Sequence, residues 1–205
     1  VYTLVDEDFT LLPGLDVVQL PGHTPGLMGL IVRLAGGTVL LPQDCVYTAA
    51  NYGPPVRRTG SAFSWDLYHS SIQKLHTLQE QTGGLVIFAA GNDAVTMALP
   101  AAYEKVISVA AIGPYGSLAY YSNYGDWVTV CAPGGDQTFP DGGVYSTMPD
   151  GSYGGYQGTS MACPHVSGIA ALLLSAAGGP DYTNRDLWDA VVRATDESIY
   201  EFNPG

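Results

Sequence analysis

Gly158-Thr159-Ser160-Met161-Ala162-Cys163-Pro164-His165 reads as a tight turn running straight into a helix built largely of small residues. Gly158 permits the turn, and Ser160 then falls at the helix start, where unpaired N–H groups and the positive dipole end favour a developing oxyanion. Beyond it, Val166, Ile169, Ala170, Leu172 and Leu173 keep one face apolar, while Ser167, Gly168 and Ala171 permit close packing. Ser160 is therefore a candidate nucleophile. On an ordinary core helix the same Thr-Ser pair would serve only as an N-cap.

Upstream, Leu85-Val86-Ile87-Phe88-Ala89-Ala90-Gly91-Asn92 has the apolar run of a buried strand entering a small-residue turn. Leu99-Pro100-Ala101-Ala102-Tyr103, Val106-Ile107-Ser108-Val109-Ala110-Ala111, Tyr121-Ser122-Asn123-Tyr124-Gly125 and Val130-Cys131-Ala132-Pro133-Gly134 follow it. With the serine octapeptide, these segments in this order resemble the C-terminal half of the subtilisin-like serine proteases. The resemblance implies an α/β fold with a mostly parallel sheet and packed helices, peptide or protein substrates, and a secreted protein. It also implies that Ser160 is the nucleophile and Asn92 the amide donor to the oxyanion, a contribution of roughly 10²–10³ in rate. Leu85 to Phe88 is then expected to be a sheet strand, with the helix after Ser160 packed beneath it and Asn92 facing Ser160 across a cleft.

A serine hydroxyl needs an imidazole to accept its proton and an acid to orient that imidazole. The family supplies both from an Asp-(Thr/Ser)-Gly strand end and a His-Gly-Thr-His helix start, and neither motif precedes Ser160. The chain has only His23, His69, His76 and His165. His165 lies five residues past the serine on the same helix and reads as structural. No histidine nitrogen is expected within reach of the Ser160 hydroxyl, so little or no turnover is expected from this chain alone.

The first part of the chain has different features. Val17-Val18-Gln19-Leu20-Pro21-Gly22-His23-Thr24-Pro25-Gly26 reads as a strand ending in a turn that presents a histidine, and Thr38-Val39-Leu40-Leu41-Pro42-Gln43-Asp44 as a strand ending in an aspartate. Taken alone, these are a turn histidine and a strand-end carboxylate. With the continuation Val46-Tyr47-Thr48-Ala49-Ala50-Asn51-Tyr52-Gly53-Pro54-Pro55, they resemble the C-terminal part of a metallo-β-lactamase superfamily domain, in the branch containing lactonases. That resemblance implies His23 and Asp44 as metal ligands at neighbouring strand ends. Gln43 stands where that family usually has glycine. A hydrolytic zinc site needs at least three protein ligands and an open position. The family's His-x-His-x-Asp-His and final Gly-His motifs are both missing, so zinc is expected to bind weakly at His23 and Asp44, and the protease reading requires no cofactor.

Residues 65–80 read as an amphipathic helix with Ser64 as N-cap and Tyr68, Ile72, Leu75 and Gln79 on one stripe. His69 and His76 are two turns apart, roughly 10.5 Å along the axis, too far for one ion, and read as members of a solvated face. Residues 182–194 read as a second amphipathic helix, with Thr183 as N-cap, covering the sheet.

Composition agrees with an α/β chain: 205 residues, 46% of them hydrophobic, are enough to fill a core. The net charge of −12 gives no electrostatic footprint for nucleic acid or an anionic membrane. The longest apolar stretches are interrupted by Gly, Pro and polar residues, which reads against a membrane span. Three cysteines, Cys45, Cys131 and Cys163, form no close-spaced ligand or redox motif, and Cys163 reads as a packed core thiol. No basic segment followed by an apolar run opens the chain, so no secretory signal is visible, and Val1 and Gly205 are not expected to be the true termini.

These features predict a chimera: a partial metallo-β-lactamase-like β/α unit over residues 1–84 joined within a shared strand to a partial subtilisin-like peptidase unit over residues 85–205. Two other classes remain open at this point, a metal-dependent hydrolase such as a lactonase using His23 and Asp44, and a non-catalytic recombined or artificial chain.

Overall fold

The computed structural model describes residues 5–34, 37–46, 52, 56, 62–96, 106–148, 151–177 and 182–198. The expected segments at residues 99–103 and 47–55 lie outside the described residues, apart from Tyr52. The main sheet has seven strands in sequence order: β1 (Phe9–Leu12), β2 (Leu15–Gln19), β3 (Met28–Leu34), β4 (Gly37–Leu41), β5 (Leu85–Ala89), β6 (Val106–Ile112) and β7 (Val130–Pro133). Pairings from β1 to β4 are antiparallel and those from β4 to β7 are parallel. A separate hairpin of β8 (Val144–Thr147) and β9 (Tyr153–Tyr156) leads into the serine turn.

The change from antiparallel to parallel follows from the connections. Short links allow β1 to β4 to fold back on one another, whereas β4 reaches β5 only through helix α1 (Trp65–Thr82), and a parallel neighbour needs such a crossover. Ser64 caps α1 by accepting from the Leu67 N–H at 3.4 Å, and Gly83 ends it at φ 62°, where a side chain would be strained. Tyr68, Ile72 and Leu75 are buried, as the stripe predicts.

Helices α2 (Thr159–Ala177) and α3 (Asn184–Arg193) complete the fold. Alternation along β5 divides the interior into two cores. Leu85, Ile87 and Ala89 face the core containing Ala162, Val166, Ala170 and Leu174 of α2 and Leu187 and Val191 of α3. Val86 and Phe88 face the core containing Tyr68, Ile72 and Leu75 of α1 with Val18, Ile31 and Leu40. β5 is thus the strand both cores share, and the chain is an α/β protein with helices on either side of the sheet. Thr183 caps α3 in a reciprocal box with Asp186.

Two expectations about α2 are corrected. Its buried stripe is Ala162, Val166, Ala170 and Leu174 at four-residue spacing, which turns Ile169 (44% exposed) and Leu172 (71% exposed) away from the sheet. By length and composition alone Thr159–Ala176 would also suffice to cross a membrane, contrary to the sequence reading, although its buried stripe belongs to the core against β5 and β6.

Candidate active site

Ser160 and Asn92 reach one place by different routes. β5 is fully buried along its length, and after Ala90 the chain turns at Gly91, φ 104°, so that Asn92 emerges at the surface. Ser160 is the second residue of α2 and half-buried. The turn before it is held from below: the Gly158 N–H donates to the Gly134 carbonyl at 2.9 Å, and the Tyr121 hydroxyl lies 2.9 Å from the Gly134 oxygen and 2.6 Å from that of Gly135. Gly158 itself has φ 154°. A Cβ on Gly134 would sit 2.4 Å from the Ala111 Cβ and 2.8 Å from the Gly158 oxygen, so only glycine fits there.

Thr159, fully buried, joins the two segments. Its backbone N–H and its hydroxyl each reach the Asn92 Oδ1 at 2.9 Å, while the Gly91 N–H donates to the Thr159 hydroxyl oxygen at 3.1 Å. A backbone N–H can only donate, so the amide atom facing it must be the oxygen, and the Asn92 Nδ2 is left as the outward donor. A Cβ on Gly158 would lie 3.7 Å from the Asn92 Nδ2 and 3.7 Å from the Ser160 backbone nitrogen. The Asn92 Nδ2 and the Ser160 backbone nitrogen therefore both lie near Gly158, with the Met161 Sδ 3.6 Å from the same point.

The histidines are engaged as follows. The His165 Nδ1 lies 2.9 Å from the Met161 carbonyl oxygen of its own helix, so it carries the proton there. The same residue lines a trough of about 910 Å³ beside β7, together with Asp126, Cys131, Asp196 and Glu197, whose lining includes neither Ser160 nor Asn92. The His76 Nε2 lies 2.7 Å from the Tyr52 carbonyl oxygen and its ring stacks on Tyr52 at 4.1 Å between centroids. The solvated-face reading is therefore corrected for His76, which is half-buried because Tyr52 covers it. His69 tilts against Trp65 at 6.1 Å.

His23 sits in the turn after β2, where its carbonyl accepts from the Phe63 N–H at 3.2 Å. Asp44 sits in a 3₁₀ turn, Gln43–Cys45, after β4; its side chain lies outside the described residues. The expectation of neighbouring strand ends is corrected by the topology. β2 and β4 run in the same direction and leave the same sheet edge, but β3 lies between them because both pair antiparallel with it. Among the described residues, which leave out the Asp44 side chain, no three His, Cys, Asp or Glu side chains gather to hold a metal. Gln43 adopts φ 53°, the left-handed region that the usual glycine would enter without cost.

None of the three cysteines is in a disulfide. Burial pushes the Cys45 thiol up to about 12, which suits a core residue and not a nucleophile. Burial also raises the Cys131 thiol. Cys163 is a member of the α2 core. Two positioning groups were not singled out from the sequence, Thr159 and Asn123. Both lie inside stretches quoted for their order, and only the three-dimensional contacts reveal what they hold.

An α/β protein with a serine at a helix start beside a fixed amide donor has the layout of a serine hydrolase half-site. The chain belongs to the subtilase family: the model described as Peptidase_S8, Subtilase family, matches residues 52–203. It is similar to a thermophilic serine proteinase of Bacillus sp. (strain AK1), 36% identical over 161 residues, covering 76% of this chain and 38% of the relative. An extracellular basic protease of Dichelobacter nodosus is 41% identical over 124 residues, covering 55% of this chain and 19% of the relative. A solved protease structure from Pseudoalteromonas arctica aligns at 40% identity with a TM-score of 0.54, over 63% of this chain and 41% of its own. The chain thus spans well under half the length of these relatives. An N-acyl homoserine lactone hydrolase structure aligns over 42% of this chain and 34% of its own, at 30% identity and a TM-score of 0.39, which carries no argument about fold or function.

Proposed function

We propose that this chain carries the nucleophile and oxyanion portion of a subtilisin-like serine endopeptidase acting on peptide or protein substrates. Ser160 Oγ is the nucleophile, and the Asn92 Nδ2 and the Ser160 backbone N–H are the oxyanion donors. The observation that supports this reading is the Asn92 amide fixed by the Thr159 N–H and hydroxyl, one residue before Ser160, with its Nδ2 left as a donor. Attack of the Ser160 oxygen on a carbonyl carbon would place negative charge on the carbonyl oxygen between these donors, where a fixed dipole costs no reorganisation. The family's motifs for an imidazole and its orienting acid are both missing before Ser160, which is the ground for expecting no histidine to take the hydroxyl proton. The reaction then depends on water or hydroxide, and turnover by this chain alone is small or nil.

Residues 1–84 and 85–205 are read as a chimera of a metallo-β-lactamase-like part and the subtilisin-like part. The antiparallel start of the sheet and its parallel remainder, meeting around the strand that faces both cores, support this reading. The family match begins at residue 52 and so takes in α1 as well as β5. Secretion is inferred from the extracellular relative.

A fluorophosphonate tests the assignment, because phosphonylation uses the same nucleophile and the same donors. Slow labelling confined to Ser160 is expected, absent in Ser160→Ala and slowed about 10²-fold in Asn92→Ala. Labelling that survives Ser160→Ala, or that Asn92→Ala leaves unchanged, would overturn the assignment. A metal-dependent hydrolase predicts instead tight stoichiometric zinc binding that His23→Ala abolishes.

A further inference from the structure

We infer that Asn123 is the residue that positions the oxyanion donor, acting through Asn92 and not on substrate; the inference rests on the oxyanion reading above. Asn123 is fully buried, and a buried amide is costly unless its groups are bonded. Four of its bonds go to one short stretch. The side-chain oxygen accepts from the N–H of Asp93 at 3.0 Å and of Val95 at 3.3 Å, and the side-chain nitrogen donates to the Ala90 carbonyl at 3.0 Å. Its backbone N–H donates to the Gly91 carbonyl at 2.9 Å. Residues 90, 91, 93 and 95 are thus gripped on both sides of Asn92, whose side chain bonds Thr159 beside the serine.

The grip is anchored to the sheet. The Ala111 N–H of β6 donates to the Ser122 hydroxyl at 2.9 Å, and that hydroxyl donates to the Asn123 carbonyl at 3.1 Å. The Ala119 N–H donates back to the Ala111 carbonyl at 2.9 Å. Two residues earlier in the same loop, Tyr121 holds Gly134, which receives the N–H of Gly158. One β6-anchored loop therefore fixes the donor turn through Asn123 and the nucleophile turn through Tyr121. Thr159 bonds the backbone path from Ala90 to Val95 once, at the Gly91 N–H, and Val109, Tyr121 and Tyr124 bond it once each, at Ala90, Ala94 and Val95. Asn123 bonds it at four points.

The test reads the Asn92 side chain in the whole chain labelled with ¹⁵N-asparagine, using phenylboronic acid, which adds to a serine oxygen as a negatively charged tetrahedral centre. In the unsubstituted chain the Asn92 side-chain amide, assigned by its loss in Asn92→Asp, is expected to give one sharp pair that shifts on boronate addition. Asn123→Asp keeps the acceptor but loses the donor to Ala90; Asn123→Ala loses all the side-chain bonds. Both are expected to broaden or move the Asn92 pair before boronate is added. The alanine variant is expected to weaken boronate binding about tenfold, part of the roughly 10²–10³ a donor is worth in a transition state. Asn92→Ala combined with Asn123→Ala should bind no more weakly than Asn92→Ala, since one residue acts through the other. Ile72→Ala, in the α1 core, should lower the unfolding temperature and leave boronate affinity unchanged. An Asn92 signal untouched in both Asn123 variants, or additive losses in the double variant, overturns the inference. A boronate that leaves Asn92 unshifted in the unsubstituted chain, while the Asn123 variants still disturb it, overturns the oxyanion reading and not the positioning. If Asn123→Ala does not fold, Asn123→Asp carries the same comparison.

Discussion

The parallel part of the sheet, from β5 to β7, and its antiparallel part, from β1 to β4, both end strands in residues suited to chemistry; Thr159 ties the parallel part's together, while β3 separates the two strands that lead to the others. In the parallel part Asn92 and Ser160 come from segments far apart in the chain, joined by Thr159, whose N–H and hydroxyl hold the Asn92 amide. In the antiparallel part His23 and Asp44 follow β2 and β4, and β3 stands between those strands. A residue at a strand end is a site only when the neighbouring connection delivers its partner.

Joined through β5, the two parts should nevertheless unfold together. Ile87 lies in the α2 core and Ile72 in the α1 core, and truncating either to alanine is expected to cost about 2–5 kcal/mol. Each variant should lower the midpoint of one common transition in denaturant, followed by far-UV dichroism and tryptophan fluorescence together. Two separable transitions, each sensitive to only one substitution, would show that the parts are independent units merely sharing an edge.

Most of this architecture was legible in the sequence. The stripe of Tyr68, Ile72 and Leu75, the Ser64 and Thr183 caps and the apolar run at β5 all obey local periodicity or local hydrogen bonding, which a sequence displays directly. The failures are non-local. Ile169 and Leu172 are apolar, but which stripe of an all-apolar helix is buried depends on where the sheet lies. His76 is drawn in by Tyr52, a residue 24 positions away that no helical pattern reveals. For the proposed site, segment order put Ser160 and Asn92 forward, whereas Asn123, an amide inside a loop, comes forward only through contacts made 28 to 33 residues away.

A smaller effect separates the two cores by pH. Burial raises the Cys45 thiol of the α1 core from 9.0 to about 12 and, chiefly, the Tyr121 hydroxyl of the α2 core from 10.0 to about 12. Each group is held protonated in the fold, so its contribution is complete below its unfolded value and is lost as pH rises towards the folded one. The unfolding temperature should begin to fall near pH 9, where the unfolded thiol starts to ionise. In Cys45→Ala combined with Cys131→Ala, which removes the other thiol that burial raises, that onset should move towards pH 10, where Tyr121 takes over, and Cys131→Ala alone should leave it near pH 9. An unchanged onset would remove Cys45 from the account.

The pH profile of Ser160 phosphonylation tests most directly the claim that an oxyanion site stands here without its base. The account predicts a rate that climbs steadily with hydroxide and shows no inflection near pH 6.5, where an imidazole ordinarily titrates. A plateau reached through an inflection in that region, and lost on replacing His23, His69, His76 or His165, would contradict it by revealing a histidine that accepts the serine proton.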